Sequence, residues 1–296
     1  MTNPHSLTIA STTFHWGRQT YLMGILNVTP DSFSGDGLLR EADWVAAAMK
    51  EAEGQIAGGA HVLDVGGEST RPGSVPIPAE EELRRVLPVI RELAKSVNVP
   101  ISIDTYRAEV ARKALDAGAT IINDVWGLRM DSKMARVVAE SGAAVVIMHN
   151  RSRPKDAVQE AQLGGRYIGV EYEELLGDII RELSESIDLA LAAGMKPEKI
   201  IIDPGIGFGK TVEQNLELVN RLGELKTLGY PILVGPSRKS FVGYTLNLPP
   251  DQRVEGTAAA VALAIDRGAD IVRVHDVAAM NRVIKIADAI VRRPVV

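Results

Sequence analysis

A chain of 296 residues with 46% hydrophobic and 24% charged side chains has the usage of a folded globular protein, which excludes disordered, collagen-like and coiled-coil classes. Its 33 Lys and Arg against 38 Asp and Glu give a formal charge of −5, so no global field draws it to nucleic acid or an anionic membrane. The absence of cysteine excludes disulfides, thiolate metal sites and cysteine nucleophiles, and makes the cytoplasm the default compartment.

Residues 1–18 have no apolar run behind a basic start and do not read as a signal peptide. No run of about 18 apolar residues exists that could span a membrane. From there the chain alternates. Short β-branched and aliphatic runs that end in polar or glycine residues predict strands at 21–27, 61–65, 100–104, 120–124, 143–148, 199–203, 231–234 and 270–274. Most are continuous apolar runs, as parallel strands covered on both faces require. Helical periodicity falls between them, at 43–57, 79–95, 107–117, 132–140, 212–228, 256–267 and 280–292. A further helix has Leu176, Ile179, Ile180, Leu183, Ile187 and Ala190 on one face, with acidic residues at its start and Gly194 at its end. Eight strands alternating with eight helices predict a single-domain α/β (β/α)8 TIM barrel over 1–296; a doubly wound open sheet is the alternative. The one long interruption is an extended loop at 150–169 after the fifth strand, which reads as a lid or a disordered insertion.

In either architecture the active site lies beyond the C-terminal ends of the strands. That end is unusually polar here: Asn27 and Asp31, Asp64, Glu68, Thr70 and Arg71, Asp104, Asn123 and Asp124, His149, Asp203, Ser237 to Lys239, Arg273, His275 and Asp276. A single such Asp is often a helix cap, but eight strands ending this way is hard to ascribe to capping alone. Arg71, Arg238, Lys239, Arg273 and His275 would converge on one anion, for which phosphate or pyrophosphate is the natural match, although each taken singly is also compatible with a surface ion pair. Asp104, Asn123 and Asp203 end apolar runs and should lie deep, facing either a heterocycle with amino and ring N–H edges or backbone amides. The glycine-rich Gly205 to Lys210 only loosely matches a phosphate loop. Phe33, Phe208, Phe241 and Trp126 cluster in the same loops, as rings flanking a planar ligand or as plugs between loop and helix.

The segments MGILNVTPDSFSGDG (23–37), LDVGGESTRPGS (63–74), ISIDTYRAEVARKALDAGATIINDVWG (101–127), IIDPGIGFGKT (201–211), GPSRKSFVG (235–243) and VRVHDV (272–277) together resemble the dihydropteroate synthase family of folate biosynthesis, in the family's order and over nearly the whole chain. The resemblance implies a transferase that joins 6-hydroxymethyl-7,8-dihydropterin diphosphate to p-aminobenzoate, giving 7,8-dihydropteroate and pyrophosphate with Mg²⁺. It implies that Asp104, Asn123, Asp203 and Lys239 hold the pterin, and that Asn27, Thr70, Arg71, Arg273 and His275 bind the diphosphate. Pro72, Phe208, Lys239 and Ser240 would line the p-aminobenzoate slot, where sulfonamides bind in this family, and Asn27 and Asp31 would ligate the metal. Asn27, Arg71, Lys239, Arg273 and His275 make up the implied catalytic set, and the loops at 28–40 and 66–78 would order over the substrates. A homodimer is expected, with the alanine-rich faces at 258–264 and 278–289 as one route to close packing.

The chain departs from the family after the fifth strand. There it reads His149-Asn150-Arg151-Ser152-Arg153-Pro154, and Arg151, Arg153 and Lys155 are expected to face solvent. The alternatives are a pterin-binding methyltransferase-like barrel, which has no need of the cationic set, and a non-catalytic paralogue, which should lack a residue of the first loop or of the p-aminobenzoate slot.

Overall fold

The computed structural model describes residues 6–28, 41–70, 73–168 and 170–292. A short antiparallel hairpin, β1 (Ser6–Ile9) and β2 (Thr12–His15), precedes the barrel. Eight parallel strands follow: β3 (Tyr21–Asn27), β4 (Val62–Gly66), β5 (Ile101–Asp104), β6 (Ile121–Asp124), β7 (Ala144–Met148), β10 (Ile200–Asp203), β11 (Leu233–Val234) and β12 (Ile271–Val274). They pair in the order β10-β7-β6-β5-β4-β3-β12-β11, and a parallel bridge between Ile202 and Ile232 joins the two ends. The sheet therefore closes, which decides for the barrel over the open sheet. All eight predicted strands are present, and the flanking helices include Glu41–Ala57, Ala79–Ser96, Ala108–Asp116, Met134–Ser141, Leu175–Ala192, Val212–Asn220, Val254–Asp266 and Val277–Val291.

Burial sorts each strand into two faces. Leu22, Leu26, Leu63, Val65, Ile103, Ile122, Val145, Ile147, Ile202 and Val272 belong to the cluster shared with the helices. Their alternate neighbours Tyr21, Met23, Val62, Ile121, Val146, Ile201, Leu233 and Ile271 form a second cluster with Leu7, Ile9 and Phe14 of the hairpin. Because strand side chains alternate with period two, the second cluster fills the barrel interior at its N-terminal end. Phe14 stacks on Trp16 there and both meet Tyr21 edge to face, with centroids 4.7 to 5.7 Å apart. Followed along the same inward register, the next residues are Asp64, Ser102, Asn123, Asp203 and Arg273, so an apolar floor gives way to a polar mouth.

Four features differ from the sequence reading. The N-terminal hairpin escapes periodicity because each strand has four residues and only two buried positions at most. The predicted helix 212–228 ends at Asn220 and continues as a 3₁₀ stretch, Leu222–Leu228, around Gly223, a residue poorly suited to a helix interior. A short helix, Ser240–Leu246, follows β11. Finally, the predicted 150–169 interruption contains secondary structure among its described residues: a 3₁₀ turn at Pro154–Asp156 leads into an antiparallel hairpin, β8 (Ala157–Glu160) paired with β9 (Gly164–Tyr167).

Candidate active site

Asp64 lies fully buried in β4 and organises the mouth. Its Oδ2 accepts from Asn123 Nδ2 at 3.0 Å and from Arg273 Nε at 2.6 Å. Arg273 Nη2 donates in turn to Asp104 Oδ2 at 2.7 Å, so one guanidinium ties together carboxylates from two neighbouring strands. Burial pushes the Asp104 carboxyl up to about 7 against the pull of Arg273. Burial also pushes Asp203 up to about 6, although the Gly205 N–H donates to its Oδ1 at 2.7 Å. Asn123, Met148, Asp203, Phe208, Lys239 and Arg273 line one cleft that opens at the mouth. The carboxylate floor suits a ligand rich in N–H donors, and Lys239 and Arg273 add positive charge at its side.

The glycine-rich turn after β10 is not a phosphate cradle. Lys210, which would reach the phosphate in such a loop, is 2% exposed and folds back into its own turn. Its Nζ donates to Gly205 O at 3.0 Å and Phe208 O at 3.1 Å, and lies 3.0 Å from His149 Nδ1. Desolvation pushes this lysine down to about 7 and His149 down to about 3. His149 Nε2 sits 3.1 Å from Glu182 Oε2, so His149 is a buried support and not a ligand-facing group. Gly205 has φ of +72°, and a Cβ there would come within 1.9 Å of His149 O, so only glycine allows the approach. The outcome is to set Phe208 under Lys239, whose Nζ stands 3.9 Å from the ring centroid.

Between β11 and helix Ser240–Leu246 the chain turns through Arg238 at φ +55°, a left-handed conformation that costs a non-glycine residue about 1–2 kcal/mol. Arg238 was expected in the anion set. It instead pairs with Asp276, Nε to Oδ2 at 2.9 Å, and so belongs to the scaffold. Lys239 and Ser240 open the helix, half-buried. His275 joins the mouth through Ser237, whose Oγ is 3.0 Å from its Nδ1 and accepts its backbone N–H at 3.1 Å. Phe241 packs in the core between helices and barrel, a plug and not a ligand wall. Asp124 caps its own turn, accepting from Trp126 N and Leu128 N.

Asn27 ends β3 beside this cluster, and Thr70 stands half-buried after β4. Arg71, Pro72, Asp31 and Phe33 lie outside the described residues, as do 29–40 of the first loop. Of the basic residues expected in solvent, Arg153 and Lys155 are exposed, but Arg151 is not free: it binds Glu182 and Asp178 and covers the Tyr172 ring at 4.3 Å. In the sequence Asp64 stands in the polar ring with no role assigned to it. Its signal was the inward register, two residues ahead of Gly66 on β4.

The pterin binding enzyme model matches residues 23–275. A dihydropteroate synthase of Clostridium beijerinckii is 48% identical over 286 residues, covering 96% of this chain and 99% of its own. The chain belongs to the dihydropteroate synthase family. Among solved structures, a dihydropteroate synthase of Clostridium difficile determined in the presence of pteroic acid is similar at TM-score 0.86 and 47% identity, covering 95% of this chain and all of that one. One of Xanthomonas albilineans with 4-aminobenzoic acid gives TM-score 0.86 at 40% identity, covering 99% and 100%. The chain is thus a transferase of folate biosynthesis, and its (β/α)8 barrel is the fold of that family.

Proposed function

We propose that this dihydropteroate synthase binds 6-hydroxymethyl-7,8-dihydropterin diphosphate with the heterocycle in the Asp104–Asn123–Asp203 floor and the diphosphate toward Arg273, His275, Asn27, Thr70 and Arg71. The observation that carries the reading is the pairing of the buried Asp203 carboxylate with Lys239 and Arg273 in one cleft, with Asp104 held against Arg273 behind it, complementary to a donor-rich ring bearing an anionic tail. The C–O bond to the diphosphate breaks with its electron pair leaving on pyrophosphate. The resulting pterin methylene cation is captured by the amine of p-aminobenzoate, which then loses a proton to water. No activated nucleophile is required. Arg273, Lys239 and His275 stabilise the departing charge, while Phe208, Lys239, Ser240 and Pro72 form the slot for the second ring.

Mg²⁺ fits one corner of this site. Gly66 leaves open the space between Asn27 Oδ1 and Asp104 Oδ2, each 3.8 Å from where a Cβ would stand. Asn27 is a hard oxygen donor suited to an ion that keeps most of its waters, with Asp31 as the second proposed ligand. When bound, the ion supplies positive charge to the diphosphate oxygens. Pyrophosphate release tests the whole reading. Release by the purified protein should require the pterin diphosphate, p-aminobenzoate and Mg²⁺ together; tight pterin binding with no release would instead support a non-catalytic paralogue.

The cytoplasm is the compartment proposed for this enzyme; among the described residues no helix is long and apolar enough to cross a membrane. We also propose a homodimer. Helices Val254–Asp266 and Val277–Val291 pack on each other and leave Leu263, Ile286 and Ile290 51%, 66% and 71% exposed on the outside. Light scattering should give twice the chain mass for the native protein and the chain mass for Leu263→Glu with Ile290→Glu. A monomeric native protein would remove the proposal.

A further inference from the structure

The hairpin β8–β9 is built into the same corner as Lys239 of the proposed second-substrate slot. Arg253 makes the connection. It is 2% exposed, and its guanidinium donates to four carbonyl groups: Leu163 O in the hairpin turn at 2.8 Å, Arg238 O at 3.0 Å, Lys239 O at 3.4 Å and Leu248 O at 3.0 Å. Gly243 is shaped for it, since a Cβ there would come within 2.1 Å of the guanidinium. On the outer side, Tyr244 Oη donates to Gly164 O at 3.2 Å and Arg166 lies over the Tyr244 ring at 4.3 Å. The other strand of the hairpin reaches the loop after β4, where a Cβ on Gly73 would come within 2.2 Å of Gln159 Nε2.

The turn that Arg253 grips is the strained one. Arg238 holds its left-handed φ with its N–H on Thr257 Oγ1 at 3.1 Å, its side chain on Asp276 and its carbonyl on Arg253. Such a conformation persists only where its surroundings over-determine it, and the residue it delivers is Lys239. We propose that Arg253, covered by the 157–167 hairpin, is a positioning residue for Lys239 and that the hairpin thereby sets the fit of the arylamine slot. The inference rests on the placement of Lys239 in that slot.

The test is a double-mutant cycle of Arg253→Met and Lys239→Met, with KM for p-aminobenzoate and kcat measured for each variant. Arg253→Met alone should raise KM for p-aminobenzoate on the order of 10- to 100-fold, the scale on which misplaced binding groups act, with a smaller change in kcat. Combined with Lys239→Met it should add little further, because both act at one point. Arg253→Lys should recover part of the loss. Replacing residues 157–167 by a short Gly-Ser turn, which keeps Arg253 and removes Leu163 O, should raise the same KM and covers the case in which Arg253→Met does not fold. Additive effects in the cycle, or unchanged KM in the hairpin variant, would overturn the proposal. Unchanged kinetics in Lys239→Met alone would instead remove the assignment of Lys239 on which it rests.

Discussion

Arg273→Ala is expected to lower kcat/KM by about 10²–10³ through lost charge stabilisation alone, the range seen when one preorganised donor is removed. The geometry adds a second loss. Arg273 Nε and Nη2 are committed to Asp64 and Asp104, and Asp64 has no exposure to water. Removing one member of a buried ion cluster leaves the others uncompensated, which costs about 3–5 kcal/mol. The variant should therefore melt earlier as well as react more slowly, and Asp104 should be held more firmly in its protonated form. The two losses separate in Asp64→Asn with Arg273→Met. That pair removes a buried negative charge together with its partner, so it should recover most of the melting temperature by differential scanning fluorimetry while pyrophosphate release stays at the level of Arg273→Ala. Recovery of turnover along with stability would mean that Arg273 only supports the floor and does not act on the diphosphate.

That double duty shows where the sequence stops being legible. The eight strands and the polar ring at their C-terminal ends follow from continuous apolar runs, because a closed parallel sheet covered by helices imposes such runs on every strand. The inward register on β3 to β12 is readable on the same basis, so Asn123, Asp203 and Arg273 line one cleft and Asp104 adjoins it through Arg273. What a linear pattern does not contain is how the charges pair. Arg238 and Arg273 look alike in the sequence, yet one is spent on Asp276 at the rim and the other bridges Asp64 and Asp104 in the barrel. Lys210 looks like a phosphate ligand until its ammonium is found inside its own turn. The 157–167 hairpin is invisible for a different reason. Its strands are four residues each with one buried position between them, so its order comes from Arg253 and Tyr244, far along the chain, and not from local periodicity.

Asp203→Asn should produce opposite effects on stability and on binding, both traceable to one carboxylate. In the free protein burial raises Asp203 from an ordinary value near 3.8 to about 6. A folded-state value above the unfolded one means that the group's contribution to stability is complete below about pH 4 and is lost as pH rises through 6. A shift of that size corresponds to about 3 kcal/mol, to order of magnitude, at neutral pH. The amide has no proton to lose, so the variant should melt higher than the native protein at pH 7, and the two melting curves should converge toward pH 4. Binding runs the other way. The ionised carboxylate is the acceptor for the amino and ring N–H edge of the pterin, and bonds to a charged acceptor contribute about 1.5–3 kcal/mol each. An amide accepts through one oxygen and turns its NH₂ toward a donor, so pterin affinity should fall by about 10²–10⁴, the equivalent of two such bonds. In the native protein the same affinity should rise with pH from 5 to 7 as Asp203 ionises, and that rise should be absent in the variant. Calorimetric titration with the pterin across this range reads both. A pH-independent native affinity would show that Asp203 is already ionised before the ligand arrives, and that its burial is offset by Lys239 and Arg273 more fully than the cleft suggests.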